Sequence, residues 1–523
     1  MANTKTSTES AVSPIAQAAT ISLGWQMTLL AALTFAVCYL RMFVLPHTPL
    51  LLWGDALGYA TKGVRLLDGE LPYRDFFEFL PPGTDLVYAL VFRCLGVSIW
   101  AMHLVMATLA ALTALWMTWC ASRLVRGWFV LLPAVLLMGW VLSYSLDPTH
   151  HWFSTVALMG VVWILFNGHS IGRVAGAGVF CGVAASFTQT KGAAAIVGLV
   201  VYFIWIAVRE KNHTERWWRR GLVLSLVLCG SALATFMVIN GPYILAAGVG
   251  RWAWDVMVFP SRYFGSVSGN NWTEAVTQFV EYPARGKWII FPFQFFVAPL
   301  TYVWFFVKLR RAKAEPEEPW NQLVLIALVG IAMLAAVAPA MSIRRFSIAS
   351  PPAMLLLTWL LSKSGKVRTA LSLGAASVVI AAVQIAGIQL GSEQILDLPV
   401  GRVAVPPRTE YYDIYRWMAA NTKPGQWYFG LPTLTLPLEL RNPTPMAEMT
   451  RGEYTRPEQV AAIVQGIERV KVPVIVMRRL RNTPSSWDQL PDHLQPFRDE
   501  LRLHYRNTIT FPSGDEIWQR VDK

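Results

Sequence analysis

About eleven apolar stretches, most of them 16 to 25 residues long, recur along this chain and settle what it can fold into. Wound as a helix, such a run rises about 1.5 Å per residue and approaches or exceeds the thickness of a hydrocarbon core of about 30 Å. Lipid offers no hydrogen bonds, so the backbone must satisfy its own, and a helix does this. The runs fall near 21–45, 98–122, 128–146, 152–167, 173–188, 193–208, 221–241, 288–307, 322–341, 346–361 and 369–390. Composition agrees, with 54% hydrophobic and 15% charged residues in 523 and a mean hydropathy of +0.41. The class is an α-helical polytopic membrane protein. The run at 21–45 is longer than the core of a signal peptide and has no clear cleavage site, so it reads as a retained first span after a polar tail, 1–20. Cys38, Cys94, Cys120, Cys181 and Cys229 show no paired spacing, which points to neither a disulfide framework nor a metal site.

Basic residues give the expected orientation. Alternate loops hold Arg123 and Arg126, Arg173, the 209–220 cluster, the 308–313 cluster, and Lys363, Lys366 and Arg368, fifteen basic residues against five glutamates. Cytoplasmic loops carry such an excess, so these loops and the N-terminus are expected inside, and the long loops 47–97 and 242–287 outside. The net charge of +13 is then mostly a topology signal, and a nucleic-acid partner loses its support. The spans hold few ionisable groups besides Arg41 and His103, which counts against an ion-coupled transporter.

From about residue 395 the chain changes character. Charge rises, apolar runs shorten, and turn signals such as Lys423-Pro424-Gly425 appear. Helices over 410–420 and 456–469 alternate with strands over 426–429 and 472–477, the pattern of a small α/β domain, 395–523, with its own core outside the membrane. No phosphate-binding glycine loop or nucleophile motif occurs there.

Loop 47–97 is a polar island. Leu57, Ala60, Val64 and Leu67 recur every three or four residues from Asp55, which predicts a helix lying on the membrane surface. Asp55 at its start is either an N-cap, worth about 1 kcal/mol, or a carboxylate able to take a proton from an acceptor hydroxyl. Beyond it come Tyr59, Arg74, Asp75 and Glu78, then Pro81-Pro82-Gly83. Asp147 precedes a proline in a tight turn, where turn chemistry and function both account for it. His150 and His151 are helix neighbours whose rings should diverge, so shared metal ligation is disfavoured, while His151 can hydrogen-bond a substrate or pack at the interface. Arg344 and Arg345 stand in a short outer turn, where lipid headgroups or a substrate phosphate would draw them. Lys191 has the same two readings with snorkelling as the plain one. Arg74 and Asp75 can touch sugar or pair with each other. Trp252, Trp254, Tyr263 and Trp272 suit a groove or an interfacial aromatic belt.

Asp55 with Ala56 to Ala60, the Tyr73-Arg74-Asp75-Phe76 segment, Glu78 and Pro81-Pro82-Gly83 resemble the first outer loop of the GT-C membrane glycosyltransferases. The likeness is nearest to the protein O-mannosyltransferase and aminoarabinose-lipid A transferase branch. Leu146-Asp147-Pro148, and Arg344-Arg345-Phe346 followed by Pro351-Pro352, resemble later motifs of that branch in the same order. The resemblance implies transfer of a sugar from a polyprenyl-phosphate donor to an acceptor hydroxyl at the outer face, with inversion. It implies Asp55 as base and leaves Asp147 or Glu78 as helper. A departing lipid phosphate needs fixed positive charge, which Arg344 and Arg345, with Lys191 as a weaker candidate, can supply. Where the family often has a second acid after the first, this chain has Ala56, which disfavours a divalent metal. A different class stays open: a lipid-linked-sugar transporter or assembly scaffold that only binds.

Overall fold

The computed structural model describes residues 22–52, 54–143, 145–210, 217–263, 290–311, 318–391, 393–405, 412–450, 454–477 and 492–522. The chain is a membrane protein, mostly helical, and a helix covers each apolar run read from the sequence. Among the described residues, six helices are long and apolar enough to cross a membrane: Leu23–Met42, Ile99–Leu124, Gln189–Arg209, Trp218–Ala247, Trp320–Val337 and Val367–Gln389. The remaining runs are shorter or broken. His150–Leu165 and Ile171–Phe187 have 16 and 17 residues, Ile290–Arg311 contains Pro299, and Pro351–Lys363 has 13 residues. The 128–146 run divides into a 3₁₀ turn, a five-residue α-helix and a π-helical turn. Several helices begin at a serine whose hydroxyl accepts a backbone N–H, as Ser98 does from Ala101 (3.1 Å) and Ser342 from Arg345 (3.3 Å).

One large apolar core joins these helices. The charged exception near it is satisfied by backbone: Arg41 donates to the carbonyls of Leu142 (2.7 Å) and Ser143 (3.3 Å). The isolated His103 bonds the Leu50 carbonyl at 2.7 Å. Both residues tie helices together.

The C-terminal residues form a hairpin, Gln394–Leu398 with Gly401–Val405, and a four-stranded sheet. In the sheet Tyr428–Phe429 pairs in parallel with Val474–Met477, followed by antiparallel Glu516–Arg520 and Tyr505–Thr510. Helices Tyr412–Asn421, Pro457–Val470 and Gln495–His504 accompany it. The segment has a buried cluster of its own, with Phe429, Val460, Ile463, Ile475, Phe497 and Leu501, and shares a second with the first long loop. Leu51, Leu52, Leu57, Tyr59, Ala60 and Leu80 of the first long loop lie in one buried cluster with Leu398, Val405, Tyr415, Leu434, Val476 and Ile517. Backbone bonds stitch the seam, Leu51 N to Ala404 O and Phe77 N to Pro445 O, both 2.8 Å.

That seam also corrects the surface-helix expectation. The loop helix Asp55–Leu67 buries Ala56, Leu57, Tyr59, Ala60 and Gly63 within the protein, while Leu67 at the end of the expected stripe is 41% exposed. Its apolar face is spent on the neighbouring helix Gly83–Leu95 and on the C-terminal segment. Lipid contact is not what holds it.

Candidate functional site

The loop helix starts at Gly54, whose φ of +69° favours glycine. Gly54 is the N-cap and makes no side-chain cap bond, so Asp55 occupies the first helical position. The cap reading of Asp55 therefore fails. Its side chain is exposed and, among the described residues, makes no hydrogen bond or ion pair. A carboxylate at a helix N-terminus is favoured by the dipole.

Residues Asp55, Tyr59 and Lys62 follow at i, i+4 and i+7 along one face. Tyr59 is buried, with Lys62 Nζ 5.3 Å from its ring centroid and the His150 ring edge-on at 5.3 Å. Lys62 pairs with Glu78, which is 1% exposed. The other Glu78 oxygen accepts from the backbone N–H groups of Phe79 (2.9 Å) and Leu80 (3.0 Å), so both Glu78 oxygens are engaged. Burial pulls the Lys62 ammonium down and the nearby Glu78 and Asp85 more than restore it, leaving the net above the usual lysine range.

Asp85 is the group here that lacks compensation. It is 1% exposed, its Oδ1 has no hydrogen-bond partner, and burial reinforced by Glu78 holds its carboxyl well above the usual range. Its helix is admitted by Gly83: a Cβ there would stand 2.5 Å from the Ser186 carbonyl oxygen, which accounts for the Pro-Pro-Gly sequence. Gly83→Ala is expected to cost about 1–3 kcal/mol through that overpacking, read as a lowered melting temperature in detergent with substrate binding by the remaining folded protein retained.

Asp147 sits across from this face. Its Oδ1 accepts from Ser145 Oγ at 2.7 Å and its Oδ2 pairs with Arg344 at 3.1 Å. Burial raises its carboxyl, against the pull of Arg344. Arg344 is exposed and thus meets a carboxylate in addition to any headgroup. Arg345 is half-buried and within electrostatic reach of Asp55 and Tyr59; burial lowers its guanidinium, which those two groups oppose. The His150 and His151 rings do not diverge; their centroids are 3.9 Å apart, and both Nδ1 atoms lack partners among the described residues. Lys191 does not snorkel. It is fully buried, donating to the His151 carbonyl (3.1 Å) and reaching Thr155 Oγ1 at 3.5 Å.

The structure therefore brings together Asp55, Tyr59, Glu78, Asp147, His151, Lys191, Arg344 and Arg345, and adds Lys62, Asp85 and His150. It leaves Arg74 and Asp75 apart. These form an exposed pair, Arg74 Nη2 to Asp75 Oδ2 at 2.7 Å, inside a turn where Asp75 also accepts from Leu71 N at 2.8 Å. The C-terminal segment contributes one wall. Tyr454 packs edge-on to Phe79 and Phe259 at 6.4 and 5.2 Å and is reached by the charges of Glu78 and Asp55. Of the groove or belt candidates in loop 242–287, Trp252 is buried beside Tyr73, Trp254 is exposed, Tyr263 lies 4.5 Å beneath Arg456, and Trp272 falls outside the described residues. A cleft of about 540 Å³ between Asp68, Glu70, Trp427 and Arg441 lies at the other end of the loop helix and does not include Asp55.

Next to this cluster Asp255, 4% exposed, is pushed up to about 7 by burial, with Arg251 opposing. In the unfolded chain it would titrate near 3.9. Between those values the folded state holds the extra proton, so stability falls as pH rises from about 4 through about 7 and is level above. The protein should melt lower at pH 8 than at pH 5.5, by the equivalent of about 1–2 kcal/mol, and Asp255→Asn should flatten that difference.

The sequence matches no protein-family model and no curated protein sequence. Among solved structures it is similar to ArnT, a lipid A aminoarabinose transferase, from Cupriavidus metallidurans in the apo state, with a TM-score of 0.58 and 15% identity over 95% of this chain and 98% of that one. The same protein bound to undecaprenyl phosphate gives 0.57 and 14% over 96% and 99%. The S. cerevisiae protein O-mannosyltransferase Pmt1-Pmt2 complex bound to the sugar donor covers 44% of this chain and 34% of its own at 17% identity, with a TM-score of 0.35, too low to support an argument. Over almost its whole length, loop helix and C-terminal segment included, this chain shares the fold of ArnT.

Proposed function

We propose that this protein is an integral-membrane glycosyltransferase that moves a sugar from a polyprenyl-phosphate donor to an acceptor hydroxyl at the outer face, by single displacement with inversion. The observation that carries the proposal is the uncommitted Asp55 carboxylate within electrostatic reach of the half-buried Arg345. This puts a base and a phosphate-matching cation on one edge of a fold that in ArnT holds undecaprenyl phosphate. In this mechanism Asp55 takes the proton of the acceptor hydroxyl as the new bond forms to the anomeric carbon. Arg345 stabilises the charge appearing on the departing lipid phosphate, with Arg344 and Lys191 adding to the field. Asp147 orients Arg344 and contacts acceptor or sugar. The reading keeps eleven spans, with the N-terminus inside and the C-terminal segment outside.

The test is turnover with purified protein and undecaprenyl-phosphate sugars in detergent or nanodiscs. Release of undecaprenyl phosphate, coupled to acceptor glycosylation, supports the transferase. Movement of an intact donor across a vesicle bilayer without cleavage would assign the chain to the transporter class instead. Arg74→Ala with Asp75→Ala is the control and is expected to leave the rate within about twofold, since an exposed pair contributes little.

A further inference from the structure

Far from the Asp55 cluster, two helices of the C-terminal segment meet around three groups with metal-ligating atoms. Glu468 belongs to Pro457–Val470, and Glu500 and His504 belong to Gln495–His504. One ligand atom from each lies within 4.8 Å of the others. Glu500 and His504 are four residues apart and so share a helix face. His504 Nε2 stands 3.9 Å from Glu500 Oε2. Its other nitrogen, Nδ1, is 3.0 Å from Asp522 Oδ2. A ring nitrogen engaged by a carboxylate fixes the tautomer and turns Nε2 outward with its lone pair free, the arrangement that metal-binding histidines use.

A second observation is independent of that spacing. Glu500 is 8% exposed, and its Oε1 finds no hydrogen-bond donor among the described residues. What faces it is another carboxylate. A buried anion in that position needs a cation or a proton. The nearby Arg520 is already occupied, with Nη1 on Glu468 at 2.8 Å and Nε on Asp522 at 2.9 Å. Glu468, Glu500 and Asp522 outnumber the one guanidinium by two, an excess of carboxylates that a divalent ion would offset.

We propose that Glu468, Glu500 and His504 form a site for a divalent transition-metal ion of the zinc or manganese class, with Asp522 as the residue that orients His504. Two carboxylates and an imidazole suit such ions, whereas calcium and magnesium take oxygen ligands. His504 and Glu468 are partly exposed, so water completes the coordination. The ion ties the two helices together and, through Asp522, holds the end of the last strand. It therefore acts on stability and takes no part in the transfer reaction.

The experiment uses full-length protein without a histidine tag, stripped with chelator and titrated with zinc and separately with manganese. Binding is followed by calorimetry and elemental analysis, and stability by thermal melting. The expected result is one ion per chain and a raised melting temperature. Glu500→Gln and His504→Gln should each weaken affinity at least 100-fold. Asp522→Asn, which spares the ligands, should weaken it about 10–100-fold. His504→Gln alters a partly exposed side chain, so it folds even if Glu500→Gln does not. Absence of stoichiometric binding, or binding unchanged in both ligand variants, overturns the site. Because transfer activity is not the readout, this outcome is separate from the fate of the transferase proposal.

Discussion

Asp55→Asn is expected to reduce transfer by about 10²–10⁴-fold, the usual contribution of a positioned base, while leaving the melting temperature and donor affinity close to wild type. The structural basis is that Asp55 supports nothing: the helix is capped by Gly54, and the carboxylate is exposed without a hydrogen bond or ion pair among the described residues. Asparagine keeps its shape and removes its basicity. Single-turnover rates and donor binding, measured side by side, separate the two effects. A rate within tenfold of wild type would remove Asp55 from the chemistry and leave its place on the helix as ordinary surface charge.

The second large effect is at Arg345. Truncation to alanine should cost about 10²–10³-fold in turnover, the scale seen when a preorganised donor to a developing negative charge is deleted. Lysine should recover only part of the loss, because a point charge cannot form the two parallel bonds that a guanidinium gives a phosphate. Arg344→Ala provides the comparison. Arg344 is exposed and paired with Asp147 at 3.1 Å, so its loss should cost less than that of Arg345, and Asp147→Asn should mimic it. Equal, small effects at both arginines would return them to the lipid-headgroup reading.

Much of this was legible in the sequence because it depends on local patterns. Apolar runs become helices regardless of what surrounds them, and two of the tail's strands and two of its helices followed from periodicity within short windows. The resemblance carried by Asp55, Asp147, Arg344 and Arg345 held at the level of fold. What was hidden depends on distant pairings. Lys62 shares a face with Asp55 and Tyr59, so its spacing was an available signal; that it meets Glu78 follows from how the loop folds back. Asp85 reads as a helix-start acid until Tyr59, Tyr73 and Glu78 are seen to enclose it. Lys191 has the sequence context of a snorkelling lysine, and only the approach of the His150–Leu165 helix supplies the carbonyl that holds it. The Glu468, Glu500 and His504 cluster combines a recognisable i, i+4 pair with a ligand from another helix, which no sequence spacing announces.

The core shared by the first long loop and the C-terminal segment has a consequence for biogenesis. The loop emerges early in synthesis, yet Leu51 and Phe77 cannot make their backbone bonds until Ala404 and Pro445 exist, and the cluster holding Leu57, Tyr59 and Leu80 is not complete until Ile517 arrives. A nascent or prematurely terminated chain would therefore insert its helices but leave the Asp55 region loose. The C-terminal segment thus acts as an assembly checkpoint for the first long loop.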